Sequence, residues 1–237
     1  MLISVIIPAF NEESYLPQTL ARLQDTISAC ARSVEVLLVD NESTDRTAEI
    51  ARSFGATVVL ERVHNIGRVR NTGAKVSRGD VLVFIDADTV VPPHFLSRVA
   101  DTMARSACLG GSAGLVHRPA SKLLRAYLEV WRCLGTTLGM AQGAAQFCQR
   151  SAFSALNGYD ESQFMGEDVD FYWRLKKFSK KMGGYLVFLK DVKVVPSPRR
   201  FDNSPIWRTL VWTNPLFVAF FRKTRSAWGD WYVRTPR

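Results

Sequence analysis

Asp86 and Asp88 stand two residues apart, directly after the run Val81-Leu82-Val83-Phe84-Ile85. Carboxylates at that spacing can hold a hard divalent cation, and the cation can in turn hold the phosphates of a nucleotide. A strand-end turn or a helix cap is the plainer reading of such a tripeptide. The next helix signal, Pro92-Pro93, lies too far along for either carboxylate to cap it. A second acidic group stands in Gly166-Glu167-Asp168-Val169-Asp170-Phe171-Tyr172-Trp173-Arg174. Acids in the first turn of a helix often do no more than complement its dipole. Phe171 and Trp173 imply that this helix is partly buried, and a carboxylate held there can take a proton from an alcohol.

Asp40 closes another apolar run, Val34 to Val39, and can accept the N3–H of a uracil or the edge of a guanine. A turn residue is the alternative, although Ser43 and Thr44 are better placed to cap the helix that follows. Arg68, Arg70 and Asn71 lie in the Gly-bracketed stretch Asn65 to Gly73. A helix starting there turns backbone N–H groups toward an anion, and Arg adds a planar donor fork suited to phosphate. A solvated basic turn is the alternative for either Arg alone. His64, His94 and His117 show no pairing pattern and read as structural or exposed.

These residues need a scaffold, and the pattern supplies one. Leu2 to Pro8, Val34 to Val39, Thr57 to Leu60 and Val81 to Ile85 are short apolar runs, as strands buried on both faces should be. Between them come helical stretches from Asn11 to about Cys30, from the Ser43-Thr44 cap to Phe54, and from Val69 to Val76. The alternation predicts an α/β fold with a mostly parallel, Rossmann-like sheet and helices on both faces. Such sheets bind ligands beyond the carboxyl ends of their strands. The phasing puts Pro8, Asp40 and Asp86 at one edge.

Farther along, Pro92-Pro93 opens a helix to about Arg105, and Cys108 to His117 returns as a strand. Leu123 to Leu138 is apolar and partly helical, and Ala141 to Phe153 is a strand and turn. A helix runs from Gly166 to about Lys181, and Tyr185 to Val195 gives one or two short strands. The expected organisation is one domain over 1–200, with a nucleotide half to about 105 and an acceptor half from about 106. A separate aromatic and basic helical segment follows over 201–237.

Composition narrows the classes. A chain of 237 residues with 47% hydrophobic and 22% charged residues is an ordinary globular protein. Its charge of +9 favours anionic partners without choosing among them. No Gly-X-Gly-X-X-Gly, Walker loop or His-Glu-X-X-His occurs, against a dinucleotide oxidoreductase, a phosphate-loop enzyme or a zinc protease. Cys30, Cys108, Cys133 and Cys148 lack metal or disulfide spacing and suit a reducing compartment. With neither a basic nor a long apolar stretch at the start, no secretory signal is expected. Trp207, Trp212, Trp228 and Trp231 are interleaved with Arg and Lys. That suits a membrane surface, a helix pair packed on the domain, or a nucleic-acid stacking face.

Taken together, Val5 to Glu12, Val39 to Asp45, Gly67 to Gly73, Asp86-Ala87-Asp88, Asn157-Gly158-Tyr159-Asp160 and Gly166-Glu167-Asp168 resemble, in order, the family 2 glycosyltransferases, inverting enzymes of the GT-A fold. The resemblance implies transfer of a sugar from a nucleotide diphosphate, UDP before GDP, to an acceptor hydroxyl in cell-surface glycan or glycolipid synthesis. It implies that Pro8, Ala9, Asn11, Glu12, Asp40 and Arg70 hold base and ribose, with Asp86 and Ala87 at the ribose. Asp88, with Asp86, would bind Mn2+ or Mg2+, and Asp168 would be the general base with Glu167 beside it. Gln149 and Arg150 fall where such enzymes bind sugar or acceptor. Some relatives place a metal-binding His after the base; here Ser197-Pro198-Arg199-Arg200 occupies that region, so Arg199 or Arg200 is expected on the diphosphate. A lipid-linked acceptor and a cytoplasmic, membrane-peripheral location fit the tail, and no nucleic acid is expected. The alternatives are a nucleotidyltransferase of similar sheet, which usually carries a Gly-rich basic loop absent after Pro8, and a non-catalytic membrane or nucleic-acid binder.

Overall fold

The computed structural model describes residues 1–137 and 144–228. Leu138, the first residues of the strand expected from Ala141, and Trp231 therefore lie outside the described residues. Strands β1 (Ile3–Ala9), β2 (Val34–Asp40), β3 (Thr57–Leu60) and β4 (Val81–Ile85) pair in parallel, with helices α1 (Leu16–Ser28), α2 (Thr47–Ser53) and α3 (Ile66–Val76) as crossovers. Their apolar runs serve two cores at once. Ile3, Val5 and Ile7 of β1 and Val81, Val83 and Ile85 of β4 join α1 and the later helix α4 (Phe95–Met103) on one face. Ile6, Leu82 and Phe84 point the other way, toward α3 and the later helices. Alternate residues of one strand therefore face opposite layers, and the buried polar one in β1, Ser4, is paired: its hydroxyl donates to Glu35 Oε1 and accepts the Gly79 N–H.

After β4 the sheet changes sense. The chain passes through β5 (Thr89–Val90), α4, β6 (Cys108–Leu115), α5 (Lys122–Thr137), β7 (Ala145–Gln149), α6 (Arg150–Ala155), α7 (Glu167–Lys181) and β8 (Tyr185–Pro196). One eight-stranded sheet results, in the order β3-β2-β1-β4-β7-β6-β8-β5. β7 runs antiparallel to both β4 and β6, and β8 is parallel to β6. Where one or two short strands are expected, β8 is a single strand of 12 residues.

Three local expectations are corrected. α1 starts at Leu16 rather than Asn11, because residues 11–13 are stitched to the loop after β2. Asn11, at φ +54°, donates its N–H to Ser43 Oγ at 2.9 Å and accepts the Thr44 N–H on Oδ1 at 2.8 Å. For the same reason Ser43 and Thr44 cap no helix, and Asp45 accepts the Thr47 N–H at the start of α2 instead. α3 starts at Ile66, earlier than expected, because Asn65 accepts the Arg68 N–H at 2.9 Å and caps it. It also lies very close to the sheet. A Cβ on Gly73 would stand 2.5 Å from Ile6 Cγ2 and 2.8 Å from Val39 Cγ2, so only glycine fits.

The tail is helical: α8 (Arg199–Asp202), α9 (Ile206–Trp212), α10 (Pro215–Phe221) and a 3-10 turn over Arg225–Trp228. Part of it packs on the domain. Trp228 is fully buried, donates from Nε1 to the Phe221 carbonyl and stacks edge-on against Phe217. The Phe164 N–H is bonded to the Arg222 carbonyl at 2.7 Å. Trp207 is exposed, with Ile206, Leu210 and Val211 beside it.

Candidate active site

The parallel strands deliver their ends to one rim. Ala9 of β1 is in register with Asp40 of β2, and Asp86 follows the last residue of β4. Arg70, in the middle of α3 and only 2% exposed, joins this rim to a distant helix. Its Nη2 donates to Asp86 Oδ1 at 2.9 Å, and its Nη1 donates to Glu167 Oε1 at 2.6 Å. The guanidinium also lies over the Tyr159 ring, 5.4 Å from its centroid. One buried cation thus brings the start of α7 to the carboxyl end of β4.

Gly166, at φ +72°, turns the chain into α7, so that its first two residues are acids with different surroundings. Glu167 is buried; Asp168 is half-buried. Burial first, and the Asp168 charge second, push the Glu167 carboxyl up to about 7, while Arg70 pulls it back. Burial opposes the Arg70 charge, yet Asp86 and Glu167 hold its guanidinium above the usual range. The Asp168 carbonyl accepts from Gln146 Nε2 at 3.0 Å, and Gln146 Oε1 accepts from the Tyr159 hydroxyl at 3.3 Å. Gln146, Tyr159 and Arg70 therefore position the pair of carboxylates from three directions.

A second arginine faces Asp88. Pro196 of β8 pairs with Thr89 of β5, and the Ser197 N–H bonds the Asp88 carbonyl at 2.9 Å. That fixes where α8 begins. Arg199 Nη2 then lies 2.5 Å from Glu12 Oε1 and 3.1 Å from Asp88 Oδ2, with the guanidinium 4.5 Å over the Tyr15 ring. Burial is the first cause raising the Asp88 carboxyl, and Arg199 is the main force lowering it. Arg200 is half-buried beside it, its charge disfavoured by burial and favoured by Asp88 and Asp86.

The other expected residues divide. Asp40 is buried at the rim and accepts the Ser43 N–H on Oδ1 at 3.1 Å. Asn11 and Glu12 lie in the stitched loop beside it. Pro8, Ala9 and Ala87 are buried, with the Ala9 and Ala87 methyls in the core, so only their backbone faces the rim. Arg68 is committed to Glu61 at 3.1 Å, away from the Asp86 side of α3. Gln149 and Arg150 do not join the site. β7 is antiparallel, so Gln149 pairs with Val81 at the opposite edge of the sheet. Gln149 Nε2 donates to the Cys108 carbonyl, and the Arg150 guanidinium is used up on Gly79 O, Ala74 O and Ser77 Oγ. A recess of about 320 Å³ lies between Leu156–Asp160 and α7. Its Arg174 is bonded to Asp170, Leu156 O and Gly158 O.

Gln146 and Tyr15 stand outside the motifs, whereas Tyr159 lies in Asn157-Gly158-Tyr159-Asp160 and Phe10, edge-to-face with His64 at 5.0 Å, lies in Val5 to Glu12. Gln146 is one of three Gln between Ala141 and Gln149, so nothing local marks it out.

Asp86 and Asp88 supply hard oxygen donors, and among the described residues no cluster of three or more His, Cys, Asp or Glu side chains surrounds them. Two carboxylates suit a cation that arrives with a nucleotide and takes its remaining ligands from phosphate and water.

Known proteins agree with this architecture. An undecaprenyl-phosphate 4-deoxy-4-formamido-L-arabinose transferase of Pseudomonas paraeruginosa is 33% identical over 118 residues, 47% of this chain and 35% of that protein. A 4,4'-diaponeurosporenoate glycosyltransferase of Staphylococcus haemolyticus is 40% identical over 114 residues, 44% of this chain and 28% of that protein. The chain thus spans about a third of the length of such curated relatives. Among solved structures, a mannosyltransferase from Pyrobaculum calidifontis with GDP-Man and Mn2+ superposes at TM-score 0.66 and 21% identity, over 98% of this chain and 72% of that one. Glucosyl-3-phosphoglycerate synthase from Mycobacterium tuberculosis, with Mn2+ and UDP, superposes at 0.65 and 18% identity, over 93% and 79%. The fold is the GT-A type. The pattern of Glycosyl transferase family 2 matches residues 4–154, and the chain belongs to that family.

Proposed function

We propose that this chain carries the catalytic site of an inverting, metal-assisted glycosyltransferase that moves a sugar from a nucleotide diphosphate to an acceptor hydroxyl. The Arg70 bridge carries the reading, because it sets a proton-accepting carboxylate beside the nucleotide rim. Residues from about 1 to 105 serve the donor and later ones the acceptor. Asp40, with Asn11 and the backbone of Pro8 and Ala9, receives the base. One Asp40 oxygen already accepts the Ser43 N–H, which favours the single imide N–H of uracil over the two donors of guanine. Asp86 and Asp88 hold Mn2+ or Mg2+. A divalent cation bound there stabilises the charge that grows on the leaving diphosphate.

Asp168 accepts the proton of the acceptor hydroxyl as its oxygen attacks the anomeric carbon opposite the diphosphate. Glu167, bonded to Arg70, holds the start of α7 in place. One in-line displacement inverts the centre. The acceptor is lipid-linked: a relative is named for undecaprenyl phosphate, and α5 and α9 meet through Tyr127 and Thr213, whose hydroxyls are 2.6 Å apart. Leu123, Val130 and Leu134 form one exposed stripe along α5, and Ile206, Trp207, Leu210 and Val211 one exposed side of α9. These faces, with Arg125 and Arg208 on the same helices, suit peripheral contact with an anionic membrane. Among the described residues no helix is long and apolar enough to cross one.

A panel of UDP- and GDP-sugars, with and without Mn2+, tests donor binding by thermal shift. With the donor so found, Asp168→Asn should lower transfer about 10²- to 10⁴-fold while leaving that shift intact. Full transfer by the variant overturns Asp168 as base.

A further inference from the structure

We propose that Arg199 is a built-in counter-cation of the donor site, held between Glu12 and Asp88 until a nucleotide arrives and then passed to its diphosphate, freeing Asp88 for the cation. The inference rests on the donor-site reading above and goes beyond it by coupling two binding events through one side chain.

Three observations carry it. First, the guanidinium is half used. Nη2 serves both Glu12 Oε1 and Asp88 Oδ2, whereas Nη1 is buried and has no hydrogen-bond partner. The side chain is 7% exposed, and a buried donor left unpaired is costly unless a ligand completes it. A phosphate, which accepts on several oxygens, can take both arms of the fork. Second, the atom Arg199 contacts is the one a metal needs. Asp88 Oδ2 cannot hold a guanidinium nitrogen at 3.1 Å and a divalent cation together without two positive charges meeting over one oxygen. Mn2+ alone must therefore displace Arg199. A diphosphate arriving with the cation gives the guanidinium a new anion instead. Third, the carrier is slight. α8 has 4 residues, against 11 for α3, and the Arg199 guanidinium lies over the face of Tyr15, along which a planar cation can slide.

The test is direct binding by the purified chain. Mn2+ affinity is read from the electron paramagnetic resonance signal of the free ion, without and with UDP. UDP affinity is read by calorimetry at saturating Mg2+. Arg199→Ala should bind Mn2+ alone about tenfold more tightly and UDP about tenfold more weakly, from the loss of charge-assisted bonds. The enhancement of Mn2+ binding by UDP should shrink accordingly. Arg199→Lys keeps the charge without the fork, and should restore the weak Mn2+ binding but not the UDP affinity. This second variant decides the matter if Arg199→Ala fails to fold. Values within twofold of the wild type for both ligands in both variants overturn the proposal and leave Arg199 a strut. A wild-type chain that binds neither Mn2+ nor UDP overturns the donor-site reading, and this inference with it.

Discussion

Two arginines in this protein make the same bond and are held in different ways. Arg70 joins Asp86 to Glu167, and Arg199 joins Asp88 to Glu12. Arg70 sits in a long helix pressed against the sheet through Gly73, and its carboxylates belong to the end of β4 and the first residue of α7. Arg199 sits in a single helical turn, and its carboxylates belong to loops. Chemistry does not separate them, since each is a buried cation between two acids. Support does. A charge on a packed helix can only hold its partners in place, whereas a charge on one turn above an aromatic face can leave them.

The largest effect should come from removing the rigid bridge. Arg70→Ala leaves Glu167 buried beside Asp168 with no counter-charge, and breaking such a pair costs about 3–5 kcal/mol. Chemical denaturation should show that loss, and transfer should fall with it because α7 is no longer tied to β4. Arg70→Ala combined with Glu167→Gln should regain part of the stability, because the stranded charge is gone. An Arg70→Ala protein no less stable than Arg199→Ala would erase the distinction between the bridges.

The rigid part was also the legible part. Strands β1, β2 and β4 announce themselves because residues buried on both faces are mostly apolar. The Gly166-Glu167-Asp168 helix start is readable because left-handed backbone favours Gly. Arg70 is visible as a functional cation, but not its partners: a phosphate is the natural expectation for an Arg at a helix start, and Glu167 lies 97 residues away. Gln149 and Arg150 are misplaced for a related reason. Strand β7 mixes Gln146 and Gln149 with apolar residues, and nothing local tells that it runs backwards and delivers its carboxyl end to the opposite edge. Ser43 and Thr44 look like caps because a turn-then-helix pattern cannot reveal that Asn11 takes them. Arg199 is reached only through the position of a missing His.

A smaller effect should separate the bridges without touching a charge. Gly73→Ala puts a methyl against Ile6 and Val39, and overpacking of this kind costs about 1–3 kcal/mol. The strain can be relieved only by moving α3 off the sheet, which carries Arg70 with it. Transfer should therefore fall more than stability alone explains, while the Mn2+ affinity set by Arg199 stays at the wild-type value. A Gly73→Ala protein with changed Mn2+ affinity would mean that the two bridges are one mechanical unit.

The smallest effect is a slope with pH. Glu167 stands at about 7 in the folded protein against an ordinary 4.5. Between those values the folded state binds more protons than the unfolded chain, so stability falls as pH rises through this window and levels off above it. Asp168, whose charge helps raise Glu167, belongs to the same titration, while the other groups around the pair stay outside the window. Arg70 stays charged, the Tyr159 hydroxyl is pushed well above its usual range by burial, and Asp160 is held at about 2 by Ser162 and Gln163. Glu167→Gln should flatten the dependence of unfolding free energy between about pH 5 and 8. Arg70→Ala should do the reverse and steepen it, since the force pulling Glu167 down is lost. A slope that survives Glu167→Gln would move the titration to another group, and with it the claim that the rigid bridge holds a dry carboxylate.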